Sequence, residues 1–235
     1  MLIKVINANA TDSMTEIIGE SARAVAGPGV TIDAVSNATG PLSIEGHEDE
    51  AMCLPGLLAE VRAGEAAGVD AYVIACFSDP GLLAAREIAA GPVVGIAEAA
   101  MRAAAYLGRG FSVITTLERS APHTRHLAEV YGLERHCHGV HATGIAVLEL
   151  ETDPEAYEKM LAKSREALAA DRSDVIVLGC AGMADLCRRL SADLGVPVVD
   201  GVAAATVMAR SLVDLGLSTS KYGEFSPPPP KTAPV

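Results

Sequence analysis

Tryptophan is absent from this chain, and only 3% of its 235 residues are aromatic. Basic residues are scarce as well, because 18 lysines and arginines stand against 30 aspartates and glutamates, which gives a formal net charge of −12. Such a chain repels phosphate backbones and offers few rings on which bases stack. The composition therefore argues against nucleic acid as a partner.

Long uninterrupted apolar runs are also missing, although half of the residues are hydrophobic and the mean hydropathy is +0.30. In VVGIAEAAMRAAAYL, for example, Glu98 and Arg102 interrupt the pattern, and no run is long enough to cross a bilayer. The opening MLIKVINANATD lacks the extended apolar segment of a secretion signal and is typical of a first core strand. We expect a cytoplasmic protein without a membrane partner.

Phosphate-binding and disulfide signatures are lacking too. Neither a Walker loop nor a GxGxxG motif occurs, and no lysine follows a strand in the manner of a Schiff-base residue. The five cysteines are odd in number, and a chain of this size folds without covalent cross-links. Reduced thiols are therefore predicted rather than a disulfide framework.

Short β-rich runs alternate with Ala-rich helical stretches along the chain. The strand candidates are LIKVIN, TIDAVS, AYVIAC, PVVGI, FSVITT, GVHATGIAV, DVIVLGC and PVVDGV. Their nearly continuous apolar character is typical of strands that crossover helices bury on both faces. The sequence therefore predicts an α/β fold with parallel sheets, in which the loops carry the polar chemistry.

An internal duplication relates the two halves of the chain. The segments 49–76 and 153–180, which both end at a cysteine, align without a gap, and Asp70 falls on Asp174. The later stretches GPVVGIAEAA and GVPVVDGVAAA match with one inserted residue, and LIKVIN resembles FSVITT. Two pseudo-symmetric lobes built from βα units are therefore expected.

The lobe boundary is predicted near residue 97. The first lobe then comprises residues 1–97 together with a returning last helix at about 205–217, and the second lobe comprises 98–204. Residues 218–235 include four consecutive prolines, which break helices and offer no N–H group to a sheet. This last segment is predicted to be a flexible tail.

Cys76 and Cys180 hold equivalent positions in the repeat, each where a buried strand ends and a helix is about to begin. Ligands of open α/β sheets bind outside such strand ends, and a following helix N-terminus lowers the pKa of a thiol from about 8.5. The alternative is that each cysteine is a small apolar residue that completes a strand.

A mechanism follows if the two lobes face one ligand across an approximate two-fold axis. One thiolate removes a proton from a carbon while the other thiol returns a proton on the opposite face, which inverts the centre. No redox or electron-sink cofactor is needed when a neighbouring carbonyl acidifies the carbon. Backbone N–H groups after each cysteine, in FSD and AGM, are candidates to stabilise the enolate-like oxygen.

Six spaced motifs occur in the order VINANAT, GPLSIE, ACFSDPGL, PVVGIAEAA, VITT and VLGCAGMADL. Together they resemble the aspartate/glutamate/hydantoin racemase superfamily, and within it the hydantoin and allantoin racemase branch. The resemblance covers residues 1 to about 217. It implies an aspartate/glutamate racemase-like fold and epimerisation without a cofactor, with Cys76 and Cys180 as the two bases.

The same resemblance implies a set of substrate-binding residues in the loops around the two thiols, and no metal. These residues are Asn7, Asn9, Ile44, Phe77, Ser78, Thr115, Thr116, Ala181 and Gly182. Small polar residues on such loops are also ordinary helix caps and turn formers, and this alternative stays open for Asn7 and Thr115.

Departures from the family pattern bear on the substrate. Amino-acid racemases of the superfamily usually have an Asp-Ser-type first loop and a Thr-His pair after the second cysteine, whereas this chain has NAN and AG there. A neutral imide ring suits amide and backbone groups better than a free amino acid does. At the first loop, proteins of the hydantoin branch more often have Asn-Pro-Asn-Thr, so Ala8 and Ala10 of this chain depart from that pattern. Related decarboxylases keep one of the two cysteines, so the presence of both favours racemisation.

Other polar residues receive structural interpretations. The run HCHGVH at 136–141 superficially resembles a metal cluster, but no further ligand at a recognisable spacing completes it. His123 and His126 are expected at the surface, with His123 close enough to a loop to reach the cleft. Asp79 precedes Pro80 and is predicted to be a helix N-cap, ahead of an acid/base role.

Two further cysteines, Cys53 and Cys187, lie in helical stretches with apolar neighbours and are predicted to fill the core.

The sequence thus predicts an isomerase that takes a small molecule and inverts the C5 centre of allantoin or of a 5-substituted hydantoin, in purine breakdown or in hydantoin use. Racemisation of aspartate or another amino acid is the alternative within the superfamily. A non-catalytic small-molecule binding protein is the alternative from another class. The ring substituent, the enantiomer preference of each cysteine and the subunit number, a homo-oligomer included, stay open.

Overall fold

A computed structural model describes residues 1–150, 152–181 and 184–227. Within these ranges β-strands and α-helices alternate, which confirms the α/β class predicted from the apolar and Ala-rich segments. In the same ranges no helix combines the length and the apolar character that a membrane span requires.

The first half of the molecule is a parallel four-stranded sheet with its helices. Its strands are β1 (Leu2–Asn7), β2 (Thr31–Ser36), β3 (Ala71–Ile74) and β4 (Val93–Gly95), in the spatial order β2-β1-β3-β4. The intervening helices are α1 (Asp12–Ala26), α2 (His47–Ala67), α3 (Leu82–Ile88) and α4 (Ile96–Leu107). The central strands β1 and β3 are almost wholly buried, as continuous apolar runs require, whereas the edge strand β2 is half-exposed.

The second half repeats this plan. Its strands are β5 (Phe111–Thr115), β6 (Cys137–Ala142), β7 (Val175–Leu178) and β8 (Val198–Val199), in the order β6-β5-β7-β8. Its helices are α5 (Ala121–Val130), α6 (Ala156–Asp171) and α7 (Ala184–Leu194), followed by α8 (Gly201–Asp214). Three short 3-10 helices lie at Glu118–Ser120, Val147–Glu149 and Gly223–Phe225.

Equivalent contacts support the internal duplication. Asp70, just before β3, accepts the N–H of Leu2 at 2.6 Å, and Asp174, just before β7, accepts the N–H of Arg109 at 2.8 Å. Each carboxylate thereby ties the start of the third strand of its sheet to the start of the first strand. The aspartates that align in the sequence therefore make equivalent hydrogen bonds in the two halves.

Helices α4 and α8 join the two halves through a shared core. Met101 of α4 and Val202 of α8 lie fully buried in one apolar cluster that also holds Ile3 of β1 and Val113 of β5. Helix α8 packs against α1, α4 and the first sheet. The predicted cut at residue 97 falls inside α4, and the assignment of lobes to residue ranges stays a prediction.

The close approach of α8 to α4 depends on a glycine. A Cβ placed on Gly201 would lie 2.8 Å from the carbonyl oxygen of Ile96, which is closer than such contacts allow. Asp200, just before it, caps α8 by accepting the N–H groups of Val202 and Ala203, and it is buried against the hydroxyl of Ser21. The last predicted strand, PVVDGV, is consequently reduced to two residues because the helix begins at once.

Another predicted strand ends early. GVHATGIAV was expected to be extended throughout, but β6 stops at Ala142, and Gly144 follows with a φ of +79°. That left-handed conformation favours glycine and lets the Gly144 N–H reach the carbonyl of Thr116 at 2.8 Å. The chain therefore turns over the end of β5 instead of continuing along the sheet.

Because Asp79 precedes Pro80, we expected it to cap the helix that follows it in the sequence. The structure contradicts this prediction. Helix α3 begins at Leu82 without a side-chain cap, and Asp79 has a φ of +46°. Its carboxylate instead accepts the N–H groups of Ala97 and Glu98 at 3.0 and 2.9 Å, so that it caps α4. The hydroxyl of Tyr131, at the end of α5, donates to the same carboxylate at 2.6 Å.

The buried Asp79 carboxylate therefore links the loop after β3 to both halves. Burial raises its pKa from 3.8 to about 6, although the hydrogen bonds from Tyr131, Glu98 and Ala97 oppose this shift. The folded state binds this proton more tightly than the unfolded chain does, so protonation of Asp79 stabilises the fold. This stabilisation is fully present below pH 3.8. It is lost as the pH rises through about 6.

We expect the Asp79→Asn variant to lack this pH dependence. Between pH 4 and pH 7, the free energy of unfolding of the wild-type protein should fall by about 2 kcal/mol relative to that of Asp79→Asn. Urea unfolding at each pH measures it. Tyr131→Phe should raise the pKa of Asp79 further, because the hydroxyl stabilises the charged form. A difference that stays constant with pH would contradict the assignment.

Candidate active site

A cavity of about 220 Å³ lies between the two halves, at the carboxyl ends of the central strands of both sheets. Parallel α/β sheets place their ligands at this end. The first half contributes Asn9, Met14, Ile44, Glu45, Gly46, His47, Glu50, Ala75, Cys76, Phe77 and Ser78. The second half contributes Thr115, Thr116, Arg119, Ser120, His123, Thr124, Val147, Gly179, Cys180 and Ala181. The volume is below the range of about 300–1,000 Å³ typical of sites for drug-sized ligands, which favours a small ligand.

Cys76 reaches the cavity because β3 ends at Ile74, two residues before it. The N–H of Ala75 makes the last ladder bond of this strand, to the carbonyl of Ile6 at 2.9 Å. The chain then turns, and the Cys76 sulfur lies 3.4 Å from the Ser78 hydroxyl and accepts the backbone N–H of Ser78. The thiol is therefore held at the cavity wall by its own loop.

Cys180 occupies the matching place in the second half. The N–H of Gly179 bonds the carbonyl of Ile114 at 2.8 Å, as Ala75 bonds Ile6. Cys180 is 9% exposed and lines the cavity together with Cys76. The repeat thus brings two cysteines, one from the end of each sheet, to the same cavity.

Burial, rather than a helix dipole, dominates the environment of Cys76. Helix α3 begins six residues later, so its N-terminus is not adjacent to the sulfur, contrary to the expectation from the sequence. Loss of solvent raises the pKa of the Cys76 thiol above its ordinary value of 9.0, and the charges of Asp79 and Glu50 add to this increase. The two hydrogen bonds from Ser78 lower the pKa and partly offset the effect.

The other cysteines behave as core residues or lie away from the cavity. Cys53 and Cys187 are buried in α2 and α7, as predicted, and burial raises the pKa of both, that of Cys53 to about 12. Cys137 lies on β6, and burial raises its pKa to about 11. All five cysteines fall in the described ranges, and none forms a disulfide.

Asn7 lies behind the cavity wall rather than in it. Its amide donates to the side-chain oxygen of Asn9 at 2.8 Å and to the hydroxyl of Thr15 on α1 at 2.9 Å. Asn9, in turn, lines the cavity. Asn7 is the last residue of β1 and directs its side chain toward α1. It therefore holds the side chain of Asn9 in place from behind the cavity wall.

Most of the other residues expected around the substrate do meet at the cavity. Those that line it are Ile44, Phe77, Ser78, Thr115, Thr116 and Ala181. Gly182 lies outside the described residues. Thr115 and Thr116 are buried, and the carbonyls of both accept a backbone N–H from the loop 143–144, so they belong to the strand end rather than to a helix cap.

Five charged or ionisable residues line the cavity wall, and of these the sequence indicated His123 alone as able to reach the cleft. They are Glu45, His47, Glu50, Arg119 and His123. Glu45 accepts the N–H of Val147 at 3.1 Å, and Glu50 lies within 3.5 Å of both histidines. Glu45 precedes α2, and His47 and Glu50 lie in its first turn, whereas Arg119 lies in the 3-10 helix before α5 and His123 lies in α5. No local spacing in the sequence therefore identifies them as a group.

The histidine run at 136–141 has a structural partner instead. Nε2 of His141 lies 2.6 Å from Oδ2 of Asp171, at the end of α6. The same oxygen accepts the hydroxyl of Ser112 on β5 at 2.6 Å. His141 therefore joins α6 to the second sheet, and it is not part of the cavity wall.

Comparison with known proteins agrees with this architecture. The chain is 53% identical over 234 residues to a hydantoin racemase of Rhizobium meliloti, and the match covers 99% of this chain and 97% of that protein. A solved allantoin racemase from Klebsiella pneumoniae is 50% identical and superposes with a TM-score of 0.96, over 100% of this chain and 96% of that one.

A more distant structure shares the fold alone. A glutamate racemase from Bacillus anthracis is 16% identical with a TM-score of 0.67, over 92% of this chain and 82% of that one, which confirms the aspartate/glutamate racemase-like architecture. The family model described as Asp/Glu/Hydantoin racemase matches residues 3–209. The chain therefore belongs to the Asp/Glu/hydantoin racemase family.

Proposed function

We propose that this racemase inverts the C5 centre of allantoin or of a 5-substituted hydantoin, without a cofactor, and that Cys76 and Cys180 are its two acid/base groups. The observation that carries the proposal is the arrival of two repeat-related thiols at one cavity, from the ends of two sheets. The hydantoin and allantoin racemases to which the chain is similar support the choice of ring.

The proposed reaction moves one proton at each face of the ring. The Cys76 thiolate takes the hydrogen from C5, and the electron pair of the broken C–H bond passes into the neighbouring carbonyl. Cys180 then gives its S–H proton to the opposite face of C5. The cycle leaves Cys76 as a thiol and Cys180 as a thiolate, ready to convert the other enantiomer in the reverse sense.

The oxygen that becomes negative in this step needs nearby donors. The loops after the two cysteines contain backbone N–H groups that are candidates for this role, and Phe77, Ser78 and Ala181 of these loops line the cavity. Asn9 and Thr116 add polar side chains on the same wall. We assign to this set the binding of the ring carbonyls and N–H groups, since a preorganised polar wall stabilises developing charge.

The charge of the wall favours a neutral ring over an amino acid. Glu45 and Glu50 place two carboxylates there, and Arg119 is the one permanently cationic side chain among the wall residues described. A substrate carboxylate would therefore meet more acidic than basic groups, whereas an imide ring carries no such charge. Met14, Ile44, Phe77 and Val147 leave room for an apolar face of the ligand.

A panel of substrates tests the choice of ring. Enantiopure allantoin and benzylhydantoin should lose optical rotation in the presence of the enzyme, while aspartate should keep its rotation under the same conditions. Polarimetry measures all three. Racemisation of aspartate at a rate equal to or above that of both rings would refute the assignment of a neutral ring.

Replacement of either thiol should separate proton removal from inversion. Cys76→Ser and Cys180→Ser should each lower the rate of racemisation by about 10²–10⁴-fold, because one acid/base group is gone. In deuterated buffer each variant should still exchange the C5 hydrogen of one enantiomer without inverting it. The favoured enantiomer should be opposite in the two variants, as chiral separation with mass detection would reveal.

Cys137→Ala is the matched control, since this thiol lies on β6 outside the cavity wall. It should racemise the substrate at the wild-type rate. If Cys76→Ser or Cys180→Ser did the same, or if both variants exchanged the same enantiomer, the two-sided mechanism would be wrong.

The raised pKa of Cys76 predicts how the reactivity of this thiol changes with pH. In the Cys180→Ser background, the rate of alkylation of Cys76 by iodoacetamide should rise about tenfold per pH unit and still be rising at pH 9, because only the thiolate reacts. Ser78→Ala should slow the reaction at each pH, since it removes a hydrogen bond that lowers the pKa. A plateau below pH 8, measured by peptide mass spectrometry, would contradict the burial effect.

A further inference from the structure

We propose that His47, Glu50 and His123 form a binding site for a transition-metal ion, best suited to Zn²⁺, at the edge of the cavity. One ligand atom from each residue lies within 4.8 Å of those from the other two. The site goes beyond the racemase reaction, in which the thiols need no metal.

Two of the distances in this cluster, one to each oxygen of the Glu50 carboxylate, are close to those between the ligands of a tetrahedral ion. Nδ1 of His47 lies 3.4 Å from one carboxylate oxygen of Glu50, and Nε2 of His123 lies 3.5 Å from the other. Ligand atoms bound at about 2.0–2.1 Å to a tetrahedral zinc ion are separated by about 3.3 Å. Since the His47 side chain is 84% exposed, its ring is free to turn and bring its nitrogen onto the ion.

A second observation points independently to a ligand. Nε2 of His123 is shielded from solvent and has no hydrogen-bond partner among the described residues. The nearby Glu50 oxygen, at 3.5 Å, does not meet hydrogen-bond geometry. A buried polar atom without a partner calls for an explanation such as a bound ion, and a metal would use its lone pair.

The donor set selects the class of ion. Two imidazoles and one carboxylate suit zinc, copper or nickel, whereas magnesium and calcium prefer oxygen ligands alone. The N-terminus of α2, where His47 begins the helix, opposes a cation, but Glu48, Asp49 and Glu50 fill the first turn with negative charge. The net charge of −12 also favours a cation.

Such an ion would connect the two halves of the molecule. His47 and Glu50 belong to α2, beside the first sheet, and His123 belongs to α5, beside the second. The rings of the two histidines already meet edge to face, with their centres 5.7 Å apart. Zn²⁺ would therefore hold the halves together at the cavity edge, and it would obstruct the passage of substrate.

Binding is tested on the reduced, full-length protein after removal of metals with a chelator. Titration with Co²⁺ should give the visible absorption of a tetrahedral site, and Zn²⁺ should displace it with 1:1 stoichiometry in calorimetry. The Tm should rise by about 5 °C at saturating Zn²⁺, because the ion binds only the folded state. His123→Ala should weaken Zn²⁺ binding at least tenfold and abolish the rise in Tm.

The chain contains a matched control on the same helix as His123. His126 pairs with Glu129 at 3.5 Å, another histidine and glutamate three residues apart, but no third ligand joins them in the described residues. His126→Ala should therefore bind Zn²⁺ like the wild-type protein. Should His123→Ala fail to fold by circular dichroism, His47→Ala takes its place, because this exposed side chain has little packing to lose.

The cavity thiols are the competing explanation for any bound metal. If Cys76→Ser lost Zn²⁺ while His47→Ala and His123→Ala kept it, the site would be a thiolate site and the proposal would be overturned. Equal binding by His123→Ala and His126→Ala would overturn it too. These binding outcomes do not depend on the identity of the racemase substrate.

An activity measurement tests whether the bound ion obstructs the passage of substrate into the cavity. Zn²⁺ should inhibit racemisation by the wild-type enzyme, and His47→Ala should require at least tenfold more Zn²⁺ for the same inhibition. Zinc that binds the cluster yet leaves racemisation unchanged would overturn the proposed obstruction.

Discussion

The site depends on where two pairs of parallel strands stop. The bonds from Ala75 to Ile6 and from Gly179 to Ile114 are the last contacts of their ladders, and a cysteine follows each. A shift of one residue in either register would turn the cysteine to the other face of its sheet, because successive side chains alternate. The carboxylates of Asp70 and Asp174 fix the opposite ends of the same strands, so both registers are secured at two points.

Burial gives the Cys76 thiol a higher pKa than exposure to solvent would, and this has two opposing consequences for a proton transfer. Fewer molecules carry the thiolate at neutral pH, yet each thiolate is a stronger base toward a carbon acid. The Ser78 hydroxyl and N–H moderate the effect without neutralising the negative charges of Glu50 and Asp79. The loop FSD therefore adjusts the pKa of the Cys76 thiol as well as positioning it, a role that its composition alone does not indicate.

The repeat is the reason that so much could be predicted from the sequence. Cys76 and Cys180 were identifiable because both lie at the same point of a duplicated strand-to-helix segment, and the α/β class followed from apolar runs that alternate with Ala-rich stretches. Glu50 and Arg119 escaped prediction because α2 and the segment before α5 meet only in three dimensions. Asp79 misled for a related reason, since the helix that it caps begins 17 residues further along the chain rather than at the next turn.

The cavity thus combines a symmetric pair of thiols with an asymmetric wall. The proposed two-base inversion needs a proton-transfer group on each face of the stereocentre, and a duplicated scaffold can provide such a pair. The proposed ring substrate must nevertheless bind in one orientation, and a wall that was also duplicated could not distinguish the two ends of the ring. The first half supplies Glu45 and Glu50 and the second supplies Arg119, none of which has a repeat partner in the wall. Loops that differ between the two halves, around strand ends that repeat, are therefore how one fold meets both demands.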